Sequence, residues 1–230
     1  MFKKFALAAA ALTPFAMVPA AHAVPDLQLR LTSGTTATVT DPLHTGQVSY
    51  NASIGVFTIT VATGTGVGSL NPGGGQVIDL NSVNVTASAA GTITIMLTET
   101  GLTGTGAATN FSSVIGGTLG SINKSNSVLT FATYIDPTNT AFGLNKLINT
   151  YTNTGAGIPF ASTQTGVGTT AALFSETIVA TLTAAALSTT SFDGFLAPAA
   201  SSVPEPATLT LLGAGLVGLG MAVRRRGAKA

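Results

Sequence analysis

Apolar and polar side chains alternate through most of this chain with a period of two. In Val56–Val61, Phe57, Ile59 and Val61 share one face, and Thr58 and Thr60 share the other. In Thr92–Thr98, Ile93, Ile95 and Leu97 alternate with Thr92, Thr94, Met96 and Thr98. The pattern returns in 77–80, 83–86, 128–134 and 177–183, the last placing Ile178, Ala180 and Leu182 together. Alternation rich in threonine and β-branched residues predicts half-buried antiparallel strands. Asp41-Pro42, Gly64-Thr65-Gly66, Asn71-Pro72-Gly73, Asp136-Pro137 and Asp193-Gly194 punctuate the strands as turns. Strands at this spacing predict an all-β fold, an antiparallel β-sandwich. Two stretches are read instead as short helical turns: Thr140–Thr150, with Phe142, Leu144, Leu147 and Ile148, and Phe111–Ile115.

The two ends depart from this pattern. Lys3 and Lys4 precede an apolar stretch from Phe5 to about Val18, and Ala21-His22-Ala23 gives a small-x-small cleavage pattern. Residues 1–23 therefore read as a signal peptide, cut by signal peptidase between Ala23 and Val24. At the other end, the seventeen residues between Pro206 and Arg224 carry no charge. As a helix they span roughly 26 Å, enough for a thin bilayer core. Pro206 suits a helix start, Glu205 faces the positive end of the helix dipole, and Arg224, Arg225 and Arg226 face its negative end. The arginines also fix the cytoplasmic side. The expected organisation is a secreted domain over 24–196, a linker over 197–203, and a terminal signal over 204–230. Within that signal, 206–223 form a single transmembrane helix and 224–226 a basic cluster.

Val203-Pro204-Glu205-Pro206, the short apolar span and the arginine cluster, in that order, resemble the PEP-CTERM sorting signal of Gram-negative bacteria that make exopolysaccharide. The resemblance covers Val203 to Ala230 and nothing of the body. It implies recognition and removal of the tail by exosortase, a membrane-embedded transpeptidase. Pro204, Glu205, Pro206 and Arg224 to Arg226 would be the processing residues. It also implies export across the inner membrane, transient anchoring there, and arrival at the cell surface or beyond.

Setting both ends aside changes the charge. The whole chain carries nine basic and eight acidic residues, for a formal net charge of +1. The body keeps only Arg30, Lys124 and Lys146 against Asp26, Asp41, Asp79, Glu99, Asp136, Glu176 and Asp193, a net of −4. So few basic residues leave no footprint for nucleic acid. Charged residues make up 7% of the chain, so solubility rests on threonine, serine and asparagine. The chain has no cysteine, which excludes disulfides, thiol catalysis and thiolate metal sites.

Candidate chemistry in the body is thin, and no cofactor is expected. Ser121-x-x-Lys124 has the spacing of a serine nucleophile motif, but no Lys-Thr-Gly partner follows. His44 follows Asp41 closely, yet no Gly-x-Ser-x-Gly elbow supplies a nucleophile, so Asp41–Gly46 reads as a polar loop. Asp136 and Asn139 offer two oxygen ligands for calcium, or form an Asx turn. Residues 64–75 lack the lysine ending of a phosphate loop. A hydrolase would need carboxylates gathered in a cleft.

The sequence thus predicts a non-enzymatic matrix, adhesion or floc-forming protein associated with surface polysaccharide. The alternative is a carbohydrate-binding module whose exposed tyrosines, among Tyr50, Tyr134 and Tyr151, stack on sugar rings. The mature protein from its native host is expected to begin at Val24 and to lack Arg224–Arg226. Intact-mass spectrometry checks this, and an extracellular form that retains the arginines overturns tail removal.

Overall fold

The computed structural model describes residues 25–66, 77–104, 106–120, 127–154 and 157–199. The signal peptide with Ala21, Ala23 and Val24, the Ser121 and Lys124 pair, and the tail with Pro204, Glu205, Pro206 and Arg224–Arg226 lie outside the described residues.

Among the described residues there are twelve strands and no helix. They are β1 (Asp26–Ser33), β2 (Thr35–Thr40), β3 (Gln47–Ile54), β4 (Phe57–Gly66), β5 (Ile78–Ala87) and β6 (Gly91–Thr103). They continue with β7 (Ala108–Thr118), β8 (Val128–Asp136), β9 (Lys146–Asn153), β10 (Pro159–Thr169), β11 (Leu173–Ala184) and β12 (Ser188–Pro198). The first sheet runs β2-β1-β6-β11-β8-β9, and the second runs β10-β7-β12-β5-β4-β3. Every strand pairing is antiparallel. The all-β antiparallel sandwich expected from the period-two pattern is therefore the observed fold.

The pattern works because successive side chains leave a strand on opposite faces. Leu27, Leu29 and Leu31 of β1, Ile93, Ile95 and Leu97 of β6, and Ile178, Ala180 and Leu182 of β11 all point inward and are buried. From the second sheet, Phe57, Ile59, Leu80, Val85, Phe111 and Phe192 join the same core. The two faces interlock closely where glycine removes a side chain. A Cβ placed on Gly194 of β12 would lie 2.5 Å from Cε2 of Phe131 on β8, so that ring occupies the space a side chain would take. The open sides are closed as well. Tyr151 of β9 stacks on Phe160 of β10, with ring centroids 6.0 Å apart.

Two expectations fail. Phe111–Ile115 is not a helical turn but part of β7, where Phe111, Ser113 and Ile115 face inward. The period of two wins because β7 is paired on both sides, with β10 and β12. Thr140–Thr150 is not helical either: it is a turn as far as residue 145 and then β9. Asn139 and Phe142 both have φ of 57°, a left-handed conformation that a right-handed helix excludes. The apolar residues there divide between two tasks. Phe142 folds onto Arg30, whose guanidinium carbon sits 3.6 Å from the ring centroid, while Leu144 and Leu147 are exposed. In addition, β12 runs on to Pro198, two residues into the stretch read as linker.

Gly194→Ala is expected to lower stability by about 1–3 kcal/mol, because the added methyl must displace Phe131. Urea unfolding of the variant beside the parent measures the loss.

Candidate functional site

The structure scatters most of the candidate site residues. His44 is exposed, and its Nδ1 donates to the carbonyl of Pro25 at 3.0 Å. Asp41 is a buried loop anchor. Its Oδ2 accepts from the Gly46 amide at 2.6 Å, and its Oδ1 accepts from the Thr45 hydroxyl at 3.1 Å. Desolvation alone would raise its pKa, but the amides of Thr45, Gly46 and Gln47 and the Thr45 hydroxyl outweigh it, and the net shift is downward. The Asp41–Gly46 segment is a structural turn. Asp136 and Asn139 are likewise engaged. Asp136 Oδ1 accepts from the amide and the hydroxyl of Thr138 at 2.8 and 2.6 Å. Asn139 Oδ1 accepts from the Gly101 amide at 2.7 Å. The Thr138 amide bond closes an Asx-type turn, and the Asn139 bond pins that turn to β6. No group of three or more metal-ligating side chains occurs among the described residues.

The tyrosines do not share a face. Tyr134 sits opposite Thr177 on the outer side of the first sheet, whereas Tyr151 sits opposite Phe131 and packs against the core.

Two arrangements lie outside the residues singled out from the sequence. The first is a pair of carboxyl groups inside the sandwich. Glu99 of β6 and Glu176 of β11 are direct cross-strand partners, beside the register shift between Phe174 and Glu176. Both occupy inward positions, flanked in the same row by Leu27 and Ile135. Their exposures are 1% and 0%. Oε2 of Glu99 and both carboxyl oxygens of Glu176 have no hydrogen-bond partner. From the facing sheet, the backbone of Gly66 presses on the pair, since a Cβ there would lie 2.7 Å from Cδ of Glu99. Burial pushes the pKa of Glu99 up to about 7. It also raises that of Glu176 well above the usual carboxyl range, with the charge of Glu99 adding to the effect. Two carboxylates side by side in an apolar interior cannot both ionise cheaply. The pair is the clustering of acids a hydrolase would need, but it lies in a sealed interior, out of reach of a substrate. The signal was present in the sequence. Glu99 continues the parity of Ile93, Ile95 and Leu97, and Glu176 that of Ile178, Ala180 and Leu182.

The second arrangement lies on the outer face of the first sheet. Following the registers across it, Thr36, Thr32, Thr94, Thr181, Thr130 and Thr152 form one row, with one threonine from each of the six strands. Neighbouring hydroxyls bond in pairs, at 3.2 Å for Thr32 and Thr36, and at 3.4 Å for Thr94 with Thr181 and for Thr130 with Thr152. At the usual strand spacing the row is roughly 24 Å long. Thr92 and Thr183 extend it on one side, their hydroxyls 3.1 Å apart. The row carries no charge. Each member presents a hydroxyl that both donates and accepts, beside an apolar methyl. On the outer face of the second sheet, Asp193 accepts from the Ser82 amide at 2.5 Å within a shallow cleft shared with Asn84 and Ser191. Burial, and then the charge of Asp193, raises the pKa of the nearby Asp79.

Residues 202–226 match the model of the PEP-CTERM protein-sorting motif, so the tail carries that motif where the sequence pattern placed it. No curated protein matches the chain. Among solved structures it is similar to TmCBM61, determined in complex with beta-1,4-galactotriose. That match has 8% identity, covers 51% of this chain and 70% of the other, and has a TM-score of 0.33. It is also similar to a family 35 carbohydrate binding module from Clostridium thermocellum, at 12% identity, 65% and 96% coverage and a TM-score of 0.29. At such TM-scores no ligand or activity carries over.

The buried pair dictates a pH dependence. Its folded pKa values are raised, so the native state binds more protons than the unfolded state between the two sets of values. Stability is fully present below the ordinary glutamate pKa of 4.5 and is lost as pH rises through about 7. For Glu99 the loss is on the order of 3 kcal/mol. Glu99→Gln should flatten this slope and be more stable than the parent at pH 8. Denaturant melts at pH 5 and pH 8 give the comparison, and a parent that is no weaker at pH 8 contradicts it.

Proposed function

We propose that this chain is a non-enzymatic exported protein, delivered to the cell envelope by an exosortase-type system. There its body associates with exopolysaccharide as a matrix, adhesion or floc-forming component. The sorting motif over 202–226 supports the route. Signal peptidase acts at Ala23–Val24, the apolar run of 207–223 holds the chain transiently in the inner membrane, and exosortase removes the tail around Pro204–Pro206.

The observation that carries the polysaccharide association is the threonine row across the first sheet. A neutral polymer offers hydroxyls that need partners of both kinds and C–H faces that need apolar contact. Threonine meets both needs in one short side chain that loses little entropy on binding. A row that repeats the same group on six strands binds through many weak contacts in register, which suits a repetitive chain. The alternative is a carbohydrate-binding module that stacks sugars on an exposed tyrosine; Tyr134 and Tyr151 lie on opposite faces of their sheet and cannot form one joint platform.

The double variant Thr94→Val, Thr181→Val keeps shape and removes two hydroxyls from the middle of the row. It is expected to bind the native host's exopolysaccharide about tenfold more weakly than the parent. Co-sedimentation with the purified polymer measures this, and a parent that does not bind the polymer at all overturns the reading.

A further inference from the structure

The chain enters and leaves the body at one pole. Asp26 at the start of β1 lies opposite Thr100, and just past the end of β12 the Ala199 amide donates to the carbonyl of Asn110 at 2.8 Å. Among the described residues, the loops at this pole include 41–46, 137–145 and 170–172. Loops 55–56, 88–90 and 185–187 lie at the opposite pole.

Exposed large apolar side chains are not shared evenly between the poles. Leu43 (81% exposed), Leu144, Leu147, Val167 and Leu173 are on or beside the loops of the pole where the chain leaves; only Ile158 and Leu187 are at the other, among the described residues. Most acids of the first pole are withdrawn from solvent: Asp41, Asp136, Glu99 and Glu176 are buried, Asp26 is held by Nε2 of Gln28 at 2.6 Å, and Asp79 is half-buried on the outer face of the second sheet. Its exposed ionisable groups include Lys146 and His44. Apolar tips at the same pole as the exposed Lys146, with four carboxyl groups buried, match the chemistry of a phospholipid surface.

The tether places a membrane there. Only residues 200 and 201 lie between Ala199 and the matched motif, and the uncharged run begins at Ala207. The seven residues from 200 to 206 reach about 25 Å at full extension. With that run in a bilayer, the leucine-tipped pole is the part of the body nearest the lipid, at a high effective concentration.

We propose that Leu43, Leu144 and Leu173 are a lipid-contacting surface that seats the body on the outer leaflet while the tail is still attached. This rests on the tail reading above. Seating holds the short stretch before the apolar run at the lipid surface, where a membrane-embedded processing enzyme works.

The test uses the absence of cysteine from the chain. The full chain carrying Leu43→Cys, Leu144→Cys, Leu187→Cys or Ile158→Cys singly is labelled with an environment-sensitive fluorophore. It is then reconstituted into phosphatidylethanolamine–phosphatidylglycerol vesicles containing a lipid-borne quencher. These positions are exposed, and unchanged melting temperatures confirm that each variant folds as the parent does. Expected are a blue shift and strong lipid quenching at Leu43 and Leu144, with neither at Leu187 or Ile158. Carbonate-resistant association with the tips unquenched overturns the seating and leaves the tail reading intact. Tips shielded from an aqueous quencher, but not reached by the lipid-borne one, mean that a protein covers them, which also overturns it. A chain that carbonate extracts from the vesicles overturns the tail reading and the seating together.

Discussion

With no cysteine to cross-link it and charged residues at 7% of the chain, this body is held by burial between two inward faces. That dependence is strict because parity is strict. A slip of one residue in any strand would turn its leucines and isoleucines to solvent and its threonines to the core. Fully burying one such apolar side chain contributes about 1.5–3 kcal/mol, so each strand has a large stake in its own register. The outer faces follow from the same constraint. Residues that cannot be apolar and are rarely charged become threonine, which favours the extended backbone. The threonine row is therefore a product of the fold before it is a surface for anything else.

Much of the architecture was legible for this reason. Ile93, Ile95 and Leu97 alternate with Thr92, Thr94, Met96 and Thr98, so strand, inward face and outward face could be read together. Strand order could not be read, because nothing local in β6 says that β1 and β11 are its partners rather than β5 and β7. The row of six threonines was invisible for the same reason, being a property of registers between strands far apart in sequence. The two misread stretches show a different limit. Around Phe142 the spacing of apolar residues imitates a helix, and it took the left-handed backbone of Asn139 and Phe142 to reveal a loop capping the first sheet. Beneath that loop, Thr98 and Ser175 are buried on the outer face. Thr98 accepts from the Phe142 amide at 3.2 Å, and Ser175 donates to the carbonyl of Thr140 at 2.8 Å.

Glu99 and Glu176 are the place where the pattern breaks its own rule. A carboxyl group on the apolar parity costs stability once ionised, and two opposite one another cost more. Leucine at either position would fit the parity better. The pair makes the body an acid-favouring structure at its core, although its surface holds few titratable groups. The backbone of Gly66 approaches the pair closely from the facing sheet.

The position of β12 has a mechanical meaning. It is the last strand of the body and lies inside the second sheet, between β7 and β5. It leads directly to the tail. A pull on the tail is directed along β12 itself, so it loads the hydrogen-bond ladders on both sides in shear, many bonds at once, instead of peeling an edge strand bond by bond. A load on the tail would thus be borne by a strand that is paired along both of its edges.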